Sequence, residues 1–146
     1  MTKIANKFIL TAFLLTTSIG FSQKKEVDSL IEKISNKDAY IVLLKTMSPR
    51  ITGEASNKIL NLGKKASPEL INILDNENKG IIAHFLLCKI WEKTWEEEVC
   101  CNISYSRNKE IVTINGLEIQ IENNTLSSEM KNLKESKEAW EKLCHA

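Results

Sequence analysis

The 146-residue sequence contains no glycine-rich phosphate loop, no nucleophile elbow and no pair of carboxylates at a telling spacing. The motif-bearing nucleotide-binding and hydrolytic enzyme classes therefore have no foothold in it. It also has no C-x-x-C or C-x-x-H pair, the strong signature of a zinc site. A basic face is missing too. The 20 basic and 19 acidic side chains are interspersed, whereas a nucleic-acid binder concentrates Lys and Arg on one surface. Proline occurs only twice, at Pro49 and Pro68, so each is expected to punctuate the chain. Beyond Ile19 no hydrophobic stretch is long enough to span a membrane.

The start of the chain has a character of its own. Lys3 and Lys7 precede the uncharged apolar run Phe8 to Ile19, and Gly20 and Ser22 are small residues before Gln23. This is the layout of a secretory signal peptide over residues 1–22; an uncleaved N-terminal anchor is the alternative. No cysteine lies near the cut, so a lipid-anchored form is not indicated. Residues 23–146 then suit a single exported domain, periplasmic or extracellular, close to neutral and without a membrane span. The lysine-, isoleucine- and asparagine-rich style looks bacterial. The glycosylation sequons at Asn102 and Asn123 therefore carry little weight.

Cys88, Cys100, Cys101 and Cys144 all fall in the exported part, where disulfides persist. A bridge between the neighbours Cys100 and Cys101 is strained. The expectation is one of them joined to Cys88 and the other to Cys144.

Apolar spacing predicts the elements. Val27, Leu30, Ile31 and Ile34 follow i, i+3, i+4, i+7, and Tyr40, Leu43, Leu44 and Met47 repeat it. The second set predicts a helix capped by Asp38 and ended by Pro49. A third helix begins near Glu54, with Ala55, Ile59 and Leu62 on one face and Gly63 as its C-cap. Ser67 as N-cap and Pro68 at the first helical position open the next, which buries Leu70, Ile71 and Leu74. The link is short enough to make an antiparallel helical hairpin. After the polar turn at residues 75–78, a longer helix runs from about Lys79 to about Trp95.

Leu60, Leu62, Gly63, Ala66, Pro68, Leu70, Ile71 and Leu74, followed by a helix with Ala83, Leu86, Leu87 and Ile90, resemble a HEAT-like helical repeat of the short variety. The resemblance is clear over residues 54–90. Helix-pair starts near Glu26, Glu54 and Lys79 are closer than the usual HEAT period. The resemblance implies a stack of helical hairpins over residues 24–95 and a protein as binding partner.

Residues 100–146 read differently. Ile111 to Ile114, then Leu117, Ile119 and Ile121 alternating with Glu118, Gln120 and Glu122, flank Asn115–Gly116, the strongest short signal for a β-hairpin. Residues 101–106 are a candidate third strand. A final helix from about Ser127 presents Met130, Leu133, Trp140, Leu143 and Cys144 as its buried stripe. The expected fold is thus mainly α, with short HEAT-like hairpins followed by a β-hairpin and a C-terminal helix, α+β in detail.

His84 and Cys88 are neighbours on one helix face. With Cys100, Cys101, Cys144 and His145 they include the ligand types zinc takes. Against this, a packed histidine and disulfides account for the same residues. The aromatic stripe assigns Trp91 and Trp140 to the core and leaves Trp95, beside Glu96–Glu98, as the aromatic partner contact. The expected function is a small non-enzymatic protein-interaction module without cofactor, in a narrower version an immunity- or inhibitor-type binder. The alternative is a metal- or thiol-based function of the Cys/His set.

Overall fold

A computed structural model describes residues 24–43, 47–91, 102–106 and 109–145. The expected leader, Trp95, Cys100, Cys101 and the continuation of the long helix past Trp91 lie outside these residues. The fold is α+β, with α-helices and two small antiparallel sheets.

Helix α1 spans residues 24–31 and buries Val27, Leu30 and Ile31, with Ile34 following in the next turn. A 3-10 turn at Asn36–Asp38 leads into strands β1 (Ala39–Leu43) and β2 (Met47–Ile51). Here the helix expected over Tyr40–Met47 is corrected: the segment forms a β-hairpin with Ala39 opposite Ile51 and Ile41 opposite Pro49. Residues 39–44 are all apolar, so the run fits a strand as well as a helix, and Tyr40, Ile41 and Val42 are strand formers. Pro49 is tolerated because the sheet has only two strands, so an N–H can be missing from an outward edge. Asp38 opens no helix over Tyr40–Met47; its side chain instead closes a capping box with Ser35 on the 3-10 turn. Its Oδ2 accepts from Ser35 N at 2.7 Å, and its carbonyl accepts from Thr52 N at 2.8 Å, closing the base of the hairpin.

Helix α2 (Glu54–Leu62) buries Ile59 completely, with Ala55, Leu60 and Leu62 packed partly against the core. Gly63 ends it at φ +61°, as a glycine C-cap should. Past that break a 3-10 turn at Gly63–Ala66 runs directly into α3 (Ser67–Asn72). Ser67 is therefore not the N-cap expected. It lies within the helix with Pro68 in the first turn, and its buried hydroxyl accepts from Trp91 Nε1 at 3.0 Å.

Helix α4 (Gly80–Ile90) is the centre of the molecule. Every residue from Gly80 to Leu87 is buried, and α2, α3, β1, β2 and the C-terminal helix all pack on it. A helix apolar on all sides can only be a core helix. Its N-terminus is capped from a distance: Asn36 Oδ1 accepts from Ile81 N and Ile82 N, both at 3.1 Å, while Asn36 Nδ2 donates to Glu77 O at 2.8 Å. Lys79 Nζ donates to Ile31 O at 2.7 Å and ties the same turn to α1. Gly80 is required by packing, because a Cβ there would stand 2.3 Å from the Leu74 carbonyl oxygen.

Strands β3 (Asn102–Ser106), β4 (Lys109–Ile114), β5 (Leu117–Glu122) and β6 (Thr125–Ser127) form an antiparallel meander in that order. The expected hairpin is present. Ile114 pairs with Leu117 across Asn115 and Gly116, whose φ values are +46° and +85°. Val112, Ile114, Leu117, Ile119 and Leu126 are buried. Helix α5 (Met130–His145) packs on β5, α3 and α4 and buries Leu133, Ser136 and Trp140. Leu143, expected in the buried stripe, is exposed. It sits about 60° around the helix from Trp140, whereas Cys144, on the other side of Trp140's direction, packs against the core.

Candidate functional site

Three elements converge on His84. The residue is fully buried on α4 and meets β4 and α5 through both ring nitrogens. Nε2 lies 2.8 Å from the Ile114 carbonyl oxygen. A carbonyl only accepts, so Nε2 carries the proton. Nδ1 is then the acceptor. It receives the Trp140 indole N–H at 3.1 Å and lies 2.9 Å from the Ser136 hydroxyl. The Trp140 ring stands edge-on to the imidazole, with centroids 6.1 Å apart at 74°. Burial pushes the imidazole down to about 4, and the Ile114 carbonyl opposes that only in part. His84 is thus a neutral strut joining α4, the end of β4 and α5.

The Ser136–His84 distance would suit a nucleophile and its base. The surroundings do not. Both side chains are buried, the other ring nitrogen meets a backbone carbonyl rather than an orienting acid, and the indole N–H competes for Nδ1.

Cys88, one turn on from His84, meets the same hairpin: Asn115 Nδ2 donates to its Sγ at 3.0 Å. Burial pushes this thiol up to about 12, against a smaller lowering by the Asn115 amide, so it is held as an unreactive thiol. His84 and Cys88 therefore share a helix face, as expected, but each is bonded to the β4–β5 turn and not to the other. Cys144 is half-buried near the end of α5. Its thiol is raised by burial, with the Lys64 charge opposing. Lys64 Nζ in turn lies 3.8 Å from the centroid of Trp91. Cys88 and Cys144, expected to bridge to Cys100 and Cys101, are free thiols in the structure; those partners lie outside the described residues.

Among the described residues no group of three or more His, Cys, Asp or Glu converges on a metal position. Both His84 nitrogens are already engaged by protein atoms. Of His145 only the backbone, which ends α5, is described. Trp95, the expected contact residue, lies outside the described part. The residue pattern gave no role to Ser136 or Asn36 and marked Asn115 only as a turn residue. A serine four residues before Trp140, on the face of the buried tryptophan, was the one local signal for Ser136.

The described surface has an open depression of about 500 Å³ between α1 and α3. Lys24 and Asp28 reach it from α1, Glu32 from the turn just after it, and Glu69 and Asn72 from α3, with Ile31 and Ile73 completing its lining. Lys24 pairs with Glu69 at 3.7 Å, which leaves Asp28 and Glu32 as the excess charge of the groove. Among the described residues no helix is long and apolar enough to cross a membrane.

No protein-family model, no curated protein and no solved structure matches this chain.

Proposed function

We propose that the chain is an exported, non-catalytic protein-interaction module whose α1–α3 groove receives a basic segment of a partner protein. The observation that carries this reading is the contrast between the two polar sites. His84, Ser136 and Cys88 are committed to holding the core together, whereas Asp28 and Glu32 face an open groove with apolar Ile31 and Ile73 beside them. A lysine or arginine side chain matches that lining, because its aliphatic stem covers apolar surface while its head meets a carboxylate. The resemblance of residues 54–90 to short HEAT-like repeats supports a protein partner, and the leader-like residues 1–22 support export. An immunity- or inhibitor-type binder is the narrower form of the same reading.

The test is capture from an exported-compartment extract with the wild-type chain and an Asp28→Lys/Glu32→Lys variant of equal stability, followed by cross-link mapping. The wild type should retain a partner that the variant loses, with cross-links on α1 and α3. Equal retention, or cross-links confined to other surfaces, would overturn the assignment.

A further inference from the structure

We propose that His84 is the pin of an acid-released latch, whose protonation detaches α5 from α4 while α1 to α4 stay packed together. The geometry around Nδ1 carries this. That nitrogen faces the Trp140 indole N–H at 3.1 Å, and an indole nitrogen is a donor with no capacity to accept. A proton added at Nδ1 sets two hydrogens against each other. Ser136 at 2.9 Å can rotate its hydroxyl to accept, but Trp140 has no such choice. The new charge is also fully buried, a costly state without a counter-ion. None is at hand. The β4–β5 turn offers the Ile114 carbonyl and the neutral Asn115 amide, α5 offers Ser136 and Trp140, and α4 itself offers the neutral Cys88. No charged side chain contributes to the depressed basicity of the ring.

The remaining polar ties explain why α5 is the part that yields. On the described side of α5 facing α3, Lys137 Nζ holds Asp75 Oδ1 at 2.9 Å and Asn72 O at 3.2 Å. Lys137 keeps the Asp75 carboxyl below its usual range, so this tie also weakens in acid. The ties that hold α1 and the 3-10 turn to α4 run through the Asn36 amide, which has no titratable proton, and through Lys79 Nζ on the Ile31 carbonyl. Acid therefore loosens α5 on two sides and leaves the α1–α4 attachment as it was.

The test is hydrogen–deuterium exchange by mass spectrometry on the exported chain, corrected for the intrinsic pH dependence of exchange. Opening of α5 should rise about tenfold per pH unit as pH falls below about 6.5, as one-proton linkage requires, while α1 and α4 keep their protection. In His84→Gln, α5 should lose that pH dependence. Should the variant not fold, nitrogen-15 spectra of the wild-type imidazole and the Trp140 indole serve instead, and both signals should change at one midpoint. Simultaneous loss of protection in α1, α4 and α5, flat α5 protection down to pH 4.5, an unchanged pH response in His84→Gln, or different imidazole and indole midpoints would each overturn the latch.

Discussion

The indole N–H of Trp140 donates to Nδ1 of His84 across 3.1 Å inside the core. One bond thus joins residues 56 positions apart, and it sets both the tautomer of the histidine and the seat of α5. His84→Ala should destabilise the protein by about 3 kcal/mol or more, because it opens a cavity and strands the Ile114 carbonyl. Trp140→Phe keeps most of the apolar volume and leaves Ser136 to satisfy Nδ1, so it should cost less, about 1–2 kcal/mol. Urea unfolding of the two variants checks the order. Equal losses would mean that the ring is packing material and not a hydrogen-bonded strut.

Stability should fall in mild acid. The folded value of His84 is about 4, below the ordinary value near 6.5. The unfolded chain therefore binds the proton first. The contribution of His84 is complete above about pH 6.5 and declines as pH drops toward 4, by about 3 kcal/mol in all. Urea midpoints at pH 7 and pH 4.5 measure it, and His84→Gln should remove the His84 part of the difference.

Asn36 should behave as a cap that belongs to another helix. Asn36→Ala removes the acceptor for Ile81 N and Ile82 N and the donor to Glu77 O, at a cost of about 1–2 kcal/mol. Asn36→Asp keeps an acceptor at the positive end of α4 but loses the donor. Its stability should fall between wild type and alanine in thermal unfolding.

Two glycines should respond for different reasons. Gly80→Ala places a Cβ against the Leu74 backbone, which cannot move without shifting α4, so the loss should exceed about 2 kcal/mol. Gly116→Ala meets nothing within 4 Å. Its cost is the positive φ of the turn alone, about 1 kcal/mol. Denaturant titration separates them.

Thiol alkylation of the folded chain at pH 8 should reach Cys144 before Cys88. Both thiols are raised by burial, but the rise at Cys88 is the larger, to about 12, and the thiolate is the reactive form. Peptide mapping after brief iodoacetamide treatment reads the order. Alkylation of Cys88 first would contradict its seat against Asn115.

Some of this architecture was legible in the residues themselves. The period-3.6 spacing of Val27, Leu30, Ile31 and Ile34, the glycine that ends α2 and the Asn115–Gly116 turn are local signals, because each depends on backbone preferences within a few residues. The same locality misled at Tyr40–Met47, where apolar residues fit a helical period and strand-forming side chains fit the hairpin that is observed. The choice there rests on pairing with residues 47–51 and on the cover that α4 provides. The His84 strut lay beyond any local pattern. Residue spacing alone puts His84 and Cys88 on one helix face and Trp140 on a buried stripe. What they meet follows from packing, because Ile114, Asn115 and Ser136 come from elements later in the chain, and a buried polar atom takes its partner from whatever the fold brings within hydrogen-bond reach.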